Sequence, residues 1–101
     1  MGLPGSCSCV ECDLDNPASV RTAAKRIQSV VDTRREPLRI LINNAGVMGS
    51  SAPGNPAWEE QFGSASAGSW SARQDPHLGP NHLGPFLLTE LLAPALGPGS
   101  R

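Results

Sequence analysis

The chain has 101 residues, 17% of them charged, and a formal net charge of −1. That size accommodates one small domain and excludes two. The near-neutral balance excludes a nucleic-acid footprint, no apolar run approaches a membrane span, and Met1–Ser8 lacks the basic start and apolar core of a secretory signal.

Glycine (11) and proline (10) make up about a fifth of the chain, concentrated in 49–56, 63–85 and 94–100. Two Phe, two Trp and no Tyr leave a core thin in large rings. Taken in order, the first feature is Cys7, Cys9 and Cys12, spaced Cys-x-Cys-x2-Cys. A tetrahedral metal site needs a fourth ligand, and only the distant His77 or His82 would supply one. The favoured reading makes Cys12 a small hydrophobe in a strand over Cys9–Leu14, with no metal bound. Three cysteines are an odd count, which fits a reducing compartment better than a disulfide framework.

Asp13-Leu14-Asp15-Asn16-Pro17 reads as a strand exit and a helix start, with Asn16 as N-cap and Pro17 in the first helical position. Val20, Ala23, Ala24, Ile27, Val30 and Val31 then share one helical face, while Arg21, Lys25 and Arg26 fall largely on the solvated side. Arg34 and Arg35 suit the negative end of the helix dipole, and Glu36-Pro37 stops the helix.

Leu38-Arg39-Ile40-Leu41-Ile42 follows as a short apolar run of the kind buried on both faces of a parallel sheet. It ends in Asn43-Asn44-Ala45-Gly46, small residues suited to close approach of a ligand beyond a strand's carboxyl end. Strand, helix, strand over residues 9–48 gives a βαβ order. After a loop, Asn55 caps a short expected helix through Phe62. A low-complexity Gly/Ser run and a further loop lead to Pro85–Leu92, a short and strongly apolar helix.

Three motifs in this order carry a resemblance. Cys12-Asp13-Leu14, then Leu38 to Met48, then Asn81-His82-Leu83-Gly84-Pro85-Phe86-Leu87-Leu88-Thr89 are similar to the short-chain dehydrogenase/reductases. The branch resembled is that of the retinol dehydrogenases and WW-domain oxidoreductases. The resemblance covers most of Val10–Leu96. It implies an α/β chain, a fragment of a doubly wound Rossmann fold with an incomplete parallel sheet. It implies an oxidoreductase acting on alcohol or carbonyl groups with NAD or NADP. Residue by residue, it implies that Asp13 accepts hydrogen bonds from the adenine amino group and that Leu14 packs nearby. It makes Asn43 a tie into the sheet, and it places Asn44, Ala45 and Gly46 along the adenosine side of the dinucleotide. Asn81 matches the asparagine of an Asn-Ser-Tyr-Lys catalytic tetrad, holding a relay water through its backbone carbonyl. Pro85 has no N–H with which to occupy that carbonyl.

The departures from the family pattern set further expectations. Only Met1–Ser8 precede the counterpart of the third family strand, and they contain no glycine-rich phosphate loop. The pyrophosphate anchor is therefore missing. The catalytic serine strand would follow Arg101. The sequence has no tyrosine and a single lysine, Lys25 in the first helix, so the general acid and its activating partner are absent. Residues 64–80 stand where the family pattern leaves about one residue, an expected insert before the catalytic-half helix begins over 81–96. In a doubly wound order the third and fourth strands are not neighbours. The two strands here are then expected either to pair directly or to stay partly ordered, with edges open to self-association. The resulting expectation is one partial NAD(P)-binding domain over residues 1–101, inactive alone and cytoplasmic by default, with no substrate specified. Two other readings are a non-catalytic fragment docking on full-length relatives and a cysteine-based metal module.

Overall fold

The computed structural model describes residues 5–47, 68–70 and 77–101. Helix α1 spans Pro17–Arg34. It begins where the sequence requires: the Asn16 side chain accepts from the backbone N–H groups of Ala18 and Ser19 at 3.0 and 3.4 Å, and Pro17 follows. It ends at Arg35, which takes a left-handed conformation (φ 55°). The Arg35 N–H returns to the carbonyls of Val31 (2.9 Å) and Asp32 (3.3 Å), the closing bonds of a helix C-terminus. That position usually belongs to glycine, so the helix stops through backbone geometry one residue ahead of the Glu36-Pro37 stop signal.

The second helical region opens with a π-helical turn, Gly79–Leu83, and continues as helix α2, Gly84–Leu92, closing in a 3-10 turn, Ala93–Ala95. Proline chemistry accounts for the wide turn. An α-helical bond to the Asn81 carbonyl would have to come from Pro85, which has no N–H and whose ring crowds that carbonyl. Widening by one residue lets the Gly84 N–H bond the Gly79 carbonyl instead. The sequence placed the start of this helix at Pro85, and its α-helical part begins one residue earlier. The helix expected after Asn55 lies outside the described residues.

Helices α1 and α2 pack together, and the core lies between them. Val20 and Ala23 are fully buried, with Ala24, Leu92 and Ala95 close to it. The apolar stripe of α1 outruns this cover: Ile27 and Val31 are half-buried and Val30 is exposed. Contact at the head of α2 depends on glycine. A Cβ on Gly84 would stand 2.9 Å from the Leu14 carbonyl carbon and closer still to its oxygen, distances real side chains do not tolerate.

The α/β expectation is overturned. Among the described residues there are two α-helices and no sheet, so the expected fragment of a doubly wound Rossmann fold with an incomplete parallel sheet is not supported. Cys9–Leu14 forms no ladder. Leu38 makes an isolated parallel bridge to Leu96. The neighbouring bonds are Leu38 N–H to the Ala95 carbonyl (2.8 Å), Arg101 N–H to the Arg39 carbonyl (2.8 Å) and Leu41 N–H to the Arg101 carbonyl (2.7 Å). Ser100 bridges this contact, its hydroxyl donating to the Leu38 carbonyl at 2.6 Å and accepting from the Gly97 N–H at 2.8 Å. The turn at Gly97–Ser100 interrupts the register, so the pairing does not extend into a strand.

The physical reason is cover. A strand apolar on both faces needs layers above and below it, yet Ile40 is 59% and Ile42 77% exposed. No helix of the described residues is long and apolar enough to cross a membrane.

Candidate functional site

The three motif segments meet around the head of α2. The first approaches through Leu14, whose carbonyl lies against Gly84. Its position is fixed locally. The Asp13 N–H donates to the Ser19 hydroxyl at 2.8 Å, one Asp13 carboxylate oxygen accepts from the Asp15 N–H at 3.0 Å, and the Asn16 N–H closes the turn on the Asp13 carbonyl at 3.0 Å. The carboxylate of Asp13 is thus partly engaged in an Asx turn. It remains exposed, with acceptor positions still open to a ligand amino group.

The second segment is pinned at two points. The Asn43 side-chain amide donates to the Thr89 hydroxyl of α2 at 3.1 Å. The Asn81 carboxamide then pairs with a single residue across the gap: it accepts from the Val47 N–H at 2.7 Å and donates to the Val47 carbonyl at 2.8 Å. An amide side chain presents one acceptor and two donors, so it can imitate a neighbouring peptide group. Gly46 lies beside this contact, and a Cβ there would sit an ordinary 3.5 Å from Asn81 Oδ1.

Between the two pins Asn44, Ala45 and Gly46 are exposed. They present a short backbone run and one carboxamide to solvent, held at both ends by α2 and its preceding turn. Such a run can offer hydrogen bonds and a flat surface to a polar ring. Among the described residues there is no sheet for Asn43 to tie into, and its side chain fastens the loop to α2. Asn81 is brought to the loop by its side chain. Asp13 and Leu14 reach the same helix end through Gly84.

Two residues matter more than their sequence signal suggested. Gly84 sets how closely Leu14 and α2 approach, and the Gly84-Pro85 pair at a helix start was the available cue. Trp70, inside the expected insert, donates its N–H to the Asp15 carbonyl at 2.8 Å. Its Cβ and the Asp15 carboxylate crowd Gly79 so closely that no side chain fits there.

Cys7 and Cys9 are exposed and Cys12 is half-buried, all as free thiols. Burial, with the negative charge of Asp13 beside it, pushes the Cys12 thiol above its ordinary value and keeps it protonated. Among the described residues no three His, Cys, Asp or Glu side chains converge to hold a metal ion. No protein-family model, no curated protein and no solved structure matches the chain.

Proposed function

We propose that this chain carries the adenosine-contacting part of an NAD- or NADP-dependent short-chain oxidoreductase, similar to the retinol dehydrogenases and acting on alcohol or carbonyl groups, and that the 101 residues alone turn over no substrate. The observation that supports it is the pinned loop. Two motifs 34 residues apart meet in the paired bonds between Asn81 and Val47, leaving Asn44, Ala45 and Gly46 exposed between fixed ends. Asp13 would receive the adenine amino group on the acceptor positions that Asp15 leaves open, with Leu14 packing beside it. Asn81, the counterpart of the tetrad asparagine, would act here only through the loop that it holds. With no tyrosine in the sequence, the family's proton transfer has no donor in these residues.

Nuclear magnetic resonance titration with NAD, NADP and adenosine tests this. The expected result is a common set of shifts at Asp13, Leu14, Asn44, Ala45 and Gly46, with a dissociation constant in the millimolar range, about −4 kcal/mol. Shifts confined to other residues would remove the assignment. Micromolar affinity, or oxidation of retinol above the protein-free blank, would contradict the claim that the residues are inactive alone.

A second reading has its own observation. The extended run from Leu38 pairs on one side only, and Ile40 and Ile42 are exposed, with no backbone hydrogen bond among the described residues. An open edge of this kind templates pairing with another chain. Association with a second copy or a full-length relative would follow, without catalysis. Sedimentation velocity over a concentration series decides it: Ile42→Lys should abolish any concentration dependence, and monomeric behaviour of the parent chain would refute the self-pairing form.

A further inference from the structure

The cysteine segment has no part in the reading above, and its geometry is informative. Residues 5–13 run without a turn or bend. Extended backbone advances roughly 3.3 Å per residue, so a run without turn or bend spaces positions two apart, such as 7 and 9, by roughly 6.6 Å and positions three apart, such as 9 and 12, by about 10 Å. Disulfide bonds need Cα separations of about 4.4–6.8 Å. Only the first pair falls within that range. The bond also needs the two Cβ atoms about 3.5–4.5 Å apart, an approach that takes a small bend at Ser8, which is exposed and makes no hydrogen bond among the described residues. Cys12 is withdrawn from this chemistry on two counts. It is half-buried, and it adjoins Asp13, whose N–H and carboxylate are fixed by Ser19 and Asp15.

The surroundings favour an anionic reagent. The Arg34 guanidinium donates to the Ser6 hydroxyl at 3.1 Å, which places a cation next to Cys7 with Arg35 following in sequence. Oxidised glutathione is a disulfide carrying several carboxylates, so it is attracted to that end of α1.

We propose that Cys7 and Cys9 form a thiol–disulfide exchange site for an acidic low-molecular-weight disulfide, with Cys12 left reduced. The Cys7 thiolate attacks one sulfur of the glutathione disulfide. A Cys7–glutathione bond forms, the glutathione S–S bond breaks, and the first glutathione thiolate leaves. The Cys9 thiolate then attacks the Cys7 sulfur, forming the Cys7–Cys9 disulfide and releasing the second glutathione. The two protons of the protein thiols end on the two glutathione thiols. The protein dithiol is oxidised and the small disulfide is reduced.

The test exposes the full chain to a series of reduced-to-oxidised glutathione ratios, then alkylates, digests and maps it by mass spectrometry. The expected product carries a Cys7–Cys9 disulfide and an alkylated Cys12. Cys9→Ser should stop at a mixed disulfide on Cys7. In denaturant Cys12 should react like the other two, which ties its protection to the fold. Arg34→Gln should slow the first step about threefold at low salt with glutathione disulfide and leave the rate with neutral hydroxyethyl disulfide unchanged. Oxidation of Cys12 as fast as Cys7 in the native chain would overturn the proposal. So would accumulation of the Cys7 mixed disulfide while Cys9 is intact, or equal slowing by Arg34→Gln with both reagents.

Discussion

Gly84→Ala tests the packing on which the site rests, because two effects of opposite sign compete at this residue. In a free helix the change is favourable, since alanine exceeds glycine in helix propensity by at most about 1 kcal/mol. In the folded chain the new methyl would be driven into the Leu14 carbonyl, with the carbonyl carbon at 2.9 Å, the Leu14 Cβ at 3.0 Å and the oxygen closer than either. The obstacle is backbone, so it cannot turn aside as a flexible side chain could. Forcing a methylene-sized group into a packed contact costs about 1–3 kcal/mol. The propensity gain is reduced at a helix's first residue, so the net expectation is a loss of about 1–2 kcal/mol in the seating of α2. The readout is exchange of the Val47 amide, whose N–H is held by Asn81 on the turn leading into α2. Exchange should accelerate roughly tenfold for each 1.4 kcal/mol lost. Glu90→Ala, at an exposed position of the same helix, should leave it unchanged. If Gly84→Ala raises helicity and leaves Val47 protection intact, α2 is not seated on Leu14 and the convergence of the three motifs fails.

Asn81→Asp keeps the acceptor for the Val47 N–H and deletes the donor to its carbonyl, while Asn81→Ala removes both; Val47 amide exchange should rank them Ala above Asp above parent, with about 0.5–1.5 kcal/mol per bond as the ceiling at this exposed site. Asn16→Ala should cost helix α1 about 1 kcal/mol and Asn16→Ser far less, read as urea midpoints from far-ultraviolet ellipticity. For Cys12 the folded chain holds the thiol proton more tightly than the unfolded chain does, so its contribution is intact below the ordinary value of 9.0 and declines as pH rises beyond it. Cys12→Ser should therefore flatten the alkaline fall in stability, and Cys12 should alkylate more slowly than Cys7 at neutral pH.

What could be read from the sequence was local. Asn16-Pro17 marked the start of α1, and Val20, Ala23 and Ala24 marked its buried face; both need only the helical period and the chemistry of a cap. The strands were not recoverable in the same way. Leu38–Ile42 has the composition of a buried strand, but composition states what a segment tolerates and a sheet requires a neighbour. Here the neighbour is the Leu96–Arg101 segment, broken in register by the Gly97–Ser100 turn, and Ile40 and Ile42 stay in solvent. The π-helical turn was half legible: Pro85 announced that the Asn81 carbonyl would go unbonded, but not that the helix would widen to accommodate it. At the site, Asn43 and Asn81 were singled out for roles that differ from the bonds they make. Their partners, Thr89 and Val47, lie 46 and 34 residues away, and no spacing rule reaches that far.

On the proposed reading, the pinned loop would bind a dinucleotide only weakly. Affinity for a dinucleotide comes largely from its charged pyrophosphate, which is met by backbone N–H groups at a helix N-terminus. The helix end nearest the loop cannot take that part. Pro80 in the π-turn and Pro85 in the first turn of α2 have no N–H, and the Gly84 and Asn81 N–H groups are already bonded to the Gly79 and His77 carbonyls. What remains is the exposed run Asn44-Ala45-Gly46 and the carboxylate of Asp13, groups suited to a neutral ring and its amino group. A ligand held by those groups gains one charge-assisted bond, from its amino group to Asp13, and none to its phosphates. Adenosine and NAD should therefore bind with nearly equal affinity, because the phosphates and nicotinamide of NAD find no further partner among the described residues. Matched calorimetric titrations would show it, and a tenfold preference for NAD would mean that a phosphate-binding group exists elsewhere in the chain.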